Sequence, residues 1–243
     1  MSTSRWAPVM RTLQNGPRLT AIVLGATVAF HLLYLVPATH EVAEWLLRED
    51  SIVEDITFAS LLLASGLGAG LAWRARRNGE TGWVWGFLAI LSLGLFFVAM
   101  EEVSWGQWIF FFKTPESFEH LNRQGETNLH NLPGLFGRSE YLRLLFAVGG
   151  LVGLWAARIP AVAKVATPRA LRGWFVVVTA YVLLDLVDDL VDAPWFFSTF
   201  SPMSEWVEML IGLAALAYML IKRDLFARAP VAETLPVDVA DRR

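Results

Sequence analysis

The sequence predicts an all-α, polytopic integral membrane protein with six transmembrane helices and both termini in the cytoplasm. Three observations carry that expectation. The 243 residues are 55% hydrophobic and 18% charged, with 11 Trp and 16 Phe, whereas an ordinary soluble domain is nearer half apolar and a quarter charged. The apolar residues are also grouped into six blocks, roughly 19–37, 52–73, 82–100, 141–157, 173–191 and 203–221, each close to the ~20 residues a helix needs to cross a bilayer. Finally, Lys and Arg concentrate in alternate connections. They fill the N-terminal segment (Arg5, Arg11, Arg18), the second-to-third connection (Arg74, Arg76, Arg77), the fourth-to-fifth (Arg158, Lys164, Arg169, Arg172) and the stretch after the last block (Lys222, Arg223, Arg228). The opposite connections hold Arg48, Lys113, Arg123, Arg138 and Arg143. Basic short loops face the cytoplasm, so the organisation expected is a cytoplasmic segment 1–18, a transmembrane domain 19–223 and a disordered cytoplasmic tail 224–243.

Taken in order, the first block has too long an apolar core, and no small-residue cleavage site, for a cleaved signal peptide. It is expected to be retained, with His31 a hydrogen-bonded core residue. His40, Glu41 and Glu44 follow on a short amphipathic outer segment. The second block opens with Ser51-Ile52-Val53-Glu54, a capping box that gives Glu54 a structural role, with Asp55 free to face the bundle. Its GLGAG, 66–70, reads as a small-residue packing face.

The third block, GWVWGFLAILSLGLFFVAM, carries no charge and runs straight into EEVSWGQW, 101–108. Continued as helix, this places Glu101, Ser104 and Trp108 on one face. Trp105 and Trp108 suit the aromatic belt at a membrane interface. Two acids at a helix C-terminus oppose the helix dipole, so a cation or a donor is expected to face them. The loop 113–140 then begins with Thr114-Pro115-Glu116, a helix start with Thr114 as N-cap and Pro at the first position, and a short helix to about Leu121. In NRQGETNLHN, polar Asn122, Arg123, Gln124, Glu126, Thr127, Asn128, His130 and Asn131 crowd together around a turn at Gly125. With Leu129 and Leu132 intercalated, the segment is expected to fold back over the bundle as a structured outer loop between the third and fourth helices.

The fifth block ends in DLVDDLVD, placing Asp185, Asp188, Asp189 and Asp192 on one helical stripe. A carboxylate costs about 2.5–3.5 kcal/mol at mid-bilayer and less toward the interface. The stripe therefore lines a water-filled crevice, holds a cation or relays protons. The sixth block starts at Ser201-Pro202, and Glu205 and Glu208 on its first turns either join the acids or complement the helix N-terminus. In this topology only five of the 23 Asp and Glu (Glu80, Asp224, Glu233, Asp238, Asp241) fall on the basic side, and all four His fall on the other. The positive-inside rule does not explain that concentration, because acids contribute little to orientation.

EEVSWGQ, TPE and NRQGETNLHN, with EDSIVED at the head of the second block, resemble a pattern in a group of bacterial multi-pass membrane proteins. The likeness covers about a third of the chain. It implies a bacterial inner-membrane location and no particular reaction. DLVDDLVD also resembles the aspartate-rich motifs with which membrane prenyltransferases hold magnesium diphosphate, but it departs from them in lying on the extracytoplasmic side and lacking their Asn/Asp pattern. The alkaline ceramidase superfamily needs more histidines in its last spans than this chain has.

The first expectation is an outward-facing acidic, histidine and amide site in a membrane hydrolase or transferase acting on a lipid or lipid-linked substrate. Glu101, Glu102, Ser104 and His130 would be catalytic. Trp105, Gln107, Asn122, Gln124, Glu126, Asn128 and Asn131 would contact substrate. Glu101, His130, Asp185, Asp188 and Asp189 would hold a divalent Mg, Mn, Ca or Zn ion, the oxygen-rich donor set suiting those metals. A cation- or proton-coupled transporter, or a non-catalytic sensor or assembly factor, are the alternatives. The absence of Cys excludes disulfides and thiolate metal sites, and an acidic cleft with no phosphate loop disfavours nucleic acid.

Overall fold

A computed structural model describes residues 7–48, 51–122, 125–129, 132, 139–191 and 201–228. These residues are helices and their connections, with no strand among them. Five helices are long and apolar enough to cross a membrane: α2 (Gly16–Leu35), α4 (Ile52–Arg77), α5 (Gly82–Glu102), α9 (Arg172–Val191) and α10 (Ser204–Arg228). The fourth block forms α8 (Ser139–Ala156), which is 18 residues long, carries Glu140 and Arg143 in its first two turns, and is not among those five. Short helices α1 (Ala7–Gln14), α3 (His40–Leu46), α6 (Gln107–Phe110) and α7 (Glu116–Glu119) decorate the ends.

Local signals place several boundaries. The Asn15 side chain accepts the amide of Arg18 and Pro17 occupies the first turn of α2, where its missing N–H costs nothing. Ser51 Oγ accepts the amide of Val53 at the head of α4, so Ser51 is the N-cap, through the second helical residue and not the third as a capping box has it. The α10 helix continues to Arg228, so residues 224–228, expected in the tail, are helical.

The core is the packing of α4 between α5 and α10, lined by Ala64, Ala75, Ala99, Ala214, Ala217, Leu61, Leu88 and Met219. Small residues let the backbones approach closely. In GLGAG only Gly68 meets a neighbour: a Cβ there would fall 2.2 Å from Ser92 Oγ and 2.7 Å from Met219 Cε, whereas at Gly66 and Gly70 it would meet open space. Gly68→Ala is accordingly expected to cost about 1–3 kcal/mol, the range for overpacking, read as a lower unfolding midpoint in detergent, while Gly70→Ala leaves it unchanged. The second layer is α8 on α9, with Gly150 against the Phe175 ring, and α2 lies outermost on α9, with Gly173 against Thr20.

Side chains on the outside of this bundle are apolar. Ile90 is 74% exposed and Leu93 68%, a surface that suits lipid and not water. Exposed Trp73, Trp83 and Trp155 sit near the ends of α4, α5 and α8, where bilayer interfaces favour indoles. The basic connections gather at one end of the bundle. Lys164 bonds both oxygens of Glu80 at 2.6 and 2.7 Å, the Arg76 guanidinium lies 5.4 Å over the Trp85 ring, and Gln14 donates to Asp224 at 2.9 Å. That last bond brings α1 to the far end of α10.

Candidate functional site

The polar residues at the opposite end form two adjoining assemblies. The first joins the end of α5 to the loop that follows. The third block was expected to run on as helix through Trp108; instead α5 stops at Glu102 and a single 3-10 turn covers Ser104–Gly106. Ser104, Trp105 and Gly106 have φ of 45°, 57° and 79°, so three successive residues are left-handed. Gly adopts that region freely, but an L side chain there costs about 1–2 kcal/mol. The expected shared face of Glu101, Ser104 and Trp108 is therefore lost, because the chain reverses between them.

Bonds from distant residues hold the reversal. Glu101 Oε1 accepts the Trp105 indole N–H at 2.5 Å and Oε2 accepts the Leu129 amide at 2.5 Å. Ser104 Oγ donates to Glu126 at 2.5 Å, and Asn128 Nδ2 reaches both that carboxylate, at 2.9 Å, and Ser104 Oγ, at 3.0 Å. Asn122 Nδ2 donates to the carbonyl and the side-chain oxygen of Asn128 at 2.9 and 2.7 Å, while its own Oδ1 accepts the Glu126 amide at 3.3 Å. Gln107 Oε1 accepts the amide of Thr127 at 2.9 Å. Thr114, expected to cap the next helix, makes no such cap: α7 starts at Glu116 after Pro115, and Thr114 Oγ1 donates to the Gly125 carbonyl at 2.7 Å. A tertiary partner has displaced the local one. Gly125, with φ of 70°, supplies the turn expected of it.

This clasp unites Glu101, Ser104, Trp105, Gln107, Asn122, Glu126 and Asn128, seven residues assigned from sequence to catalysis or substrate contact. It employs their polar atoms on one another. Ser104 is 2% exposed and Asn128 1%, so neither presents its polar group to an incoming molecule. Gln124, His130 and Asn131 lie outside the described residues, as does Asp192. For Trp108, Asp188 and Asp189 the backbone alone is described, the two Asp within α9.

The second assembly lies beneath the clasp, among the helices. Glu102 is within electrostatic reach of Glu54 of α4, Glu101, and Glu205 and Glu208 of α10. Buried Arg143 of α8 lies 3.3 Å from Asp185 of α9 through Nη2 and 3.7 Å from Glu208 through Nε. One turn before Asp185, Tyr181 bonds His31 of α2 at 2.6 Å, so His31 is hydrogen-bonded as expected but half-buried, outside the core. Glu205 and Glu208 thus join the acids, and Asp185 is an ion-pair partner.

Arg143 is the residue of this assembly that sequence reasoning missed. Counted among outer-loop cations, it is instead buried in the first turns of α8 between two acids. The available signal was an Arg inside an apolar block with the Asp185 stripe in the following span, since intramembrane charges occur in pairs. Among the described residues, no three Asp, Glu or His side chains converge closely enough to hold a metal ion. Of the residues assigned as ligands, Glu101 and Asp185 are engaged with protein groups. No protein-family model matches the chain, and no characterised protein or solved structure is significantly similar to it.

Proposed function

We propose that the chain is a six-span membrane protein, α8 being the sixth span, with both termini in the cytoplasm and an extracytoplasmic carboxylate-rich site that takes up a divalent cation. The cation-loaded site would act on the polar end of a lipid or lipid-linked substrate as a hydrolase or transferase. Pairing of Arg143 with Asp185 and Glu208 supports α8 as a span, because it neutralises the charge that otherwise makes the helix costly to insert. The hydrogen bond between Gln14 and Asp224 supports termini on one side.

The observation that carries the cation reading is the gathering of Glu54, Glu101, Glu102, Glu205 and Glu208 at the ends of three helices. Carboxylates within electrostatic reach of one another repel, and binding a divalent ion is one way to relieve that repulsion. Uptake would draw Glu102, Glu205 and Glu208 inward, since they are not preassembled as a ligand set. Strain at Ser104 and Trp105 supports a functional locus here, because strained backbone persists where the surroundings over-determine it. The clasp would then be the roof of the site, with Trp105 and Gln107 its edge.

The test is metal content after equilibration with Mn²⁺, wild type against Glu102→Gln/Glu205→Gln. About one ion per chain in the wild type and at least a tenfold weaker apparent affinity in the variant are expected; equal binding, or none in either, sinks the reading. A proton-coupled role is the second reading, favoured by the lateral series His31, Tyr181, Asp185, Arg143 and Glu208. It predicts proton flux in liposomes that Asp185→Asn abolishes.

A further inference from the structure

One cavity among the described residues runs along the bundle from its basic end. It is a groove of about 920 Å³ between α2 and α9, open along its side, and large even among small-molecule sites. Its walls are apolar, formed by Leu24, Val28 and Leu32 of α2 and Val176, Ala180 and Leu184 of α9. The polar groups that reach it are already satisfied: Thr20 Oγ1 bonds the Gly16 carbonyl, Thr27 Oγ1 bonds the Val23 carbonyl, and His31 bonds Tyr181. The exceptions are Arg169 and Arg172, which line the mouth at the basic end. Both are exposed, and neither pairs with an acid among the described residues.

We propose that this groove binds an anionic phospholipid, its acyl chains along α2 and α9 and its phosphate at Arg169 and Arg172. Three features select that occupant. From Gly16 to Leu32 the groove runs about 24 Å at 1.5 Å per residue, long enough to take the acyl chains of one lipid, whose leaflet is about half of a bilayer 40–45 Å thick. Its mouth carries two guanidinium groups and its walls are mostly apolar, the Thr27 hydroxyl and the His31 ring being bonded within the protein, which suits a lipid's head and tails. Guanidinium also suits phosphate specifically, through its fork of donors. A transmembrane segment of a partner would not need two arginines at one end. Gly173, whose Cβ would collide with Thr20, keeps α2 and α9 close at the basic end, so the groove has a floor there.

This proposal does not involve the carboxylates at the opposite end and stands or falls separately from them. Native mass spectrometry in detergent, titrating phosphatidylglycerol or phosphatidylcholine, tests it. Wild type should retain one phosphatidylglycerol in preference to phosphatidylcholine. Ala180→Phe and, as a second plug, Val176→Phe should each lose that adduct. Arg169→Gln/Arg172→Gln should bring phosphatidylglycerol to the phosphatidylcholine level, a loss of about 30-fold for two charges near the surface. Equal retention of both lipids by the wild type, retention undiminished by both plugs, or a lipid-free dimer that the plugs dissociate would overturn the proposal.

Discussion

Arg143→Met is expected to destabilise the folded bundle by about 3–5 kcal/mol, the usual cost of removing one partner of a buried ion pair, and to lower the unfolding midpoint in detergent accordingly. Arg143 and Asp185 expose only 9% and 8% of their side chains. Without the guanidinium, Asp185 and Glu208 each lose their contact with Arg143. The companion variant Arg143→Met/Asp185→Leu should recover most of the loss, because a buried pair replaced by apolar groups of similar volume is close to neutral. Arg143→Lys should fall between the two. Arg143 meets its acids through different nitrogens, Nη2 for Asp185 and Nε for Glu208, and a single ammonium cannot occupy both places. If Arg143→Met and the double variant unfold at the same midpoint, the pair is not what holds α8 on α9 and α10.

The same residue shows where the sequence is readable and where it is not. Spans are legible because their signal is local: an uncharged run such as 82–100 reports its own environment, and Ser51 reports the start of α4 from three residues of context. The bonding of Asn122, Glu126, Asn128 and Leu129 into the clasp was foreshadowed by a density of amides too high for a merely solvated loop. Arg143 was not, because its burial depends on Asp185 and Glu208, far along the chain on two other helices. The end of α5 was hidden for the same reason. Nothing in EEVSWGQW forbids helix, and the left-handed turn at Ser104 and Trp105 persists because Glu126, Asn128 and Leu129 supply partners that a helix would not use. Thr114 likewise fits an N-cap by every local rule, yet bonds Gly125. Of GLGAG, composition could not say that Gly68 alone faces α5 and α10.

Glu101→Gln should open the clasp without unfolding the bundle. Glu101 is 6% exposed, and each of its oxygens accepts a different N–H, from the Trp105 indole and from the Leu129 backbone. Bonds to an ionised acceptor contribute about 1.5–3 kcal/mol each. Glutamine keeps one carbonyl oxygen and turns an NH₂ toward the other donor, so one buried N–H meets a second N–H. The expected local loss is about 2–3 kcal/mol, equivalent to roughly 30- to 150-fold more frequent opening. Hydrogen exchange localises the effect: amides between residues 104 and 129, Leu129 foremost, should exchange faster, while those in the middle of α4, α5 and α10 keep their wild-type rates. Opening should spread to Ser104 and Trp105, because their backbone is strained and Glu101 is one of its restraints. Unchanged exchange at Leu129 would mean that Glu126 and Asn128 hold the loop unaided. Acceleration throughout α5 would mean that the clasp is part of the bundle's folding core and not a roof laid upon it.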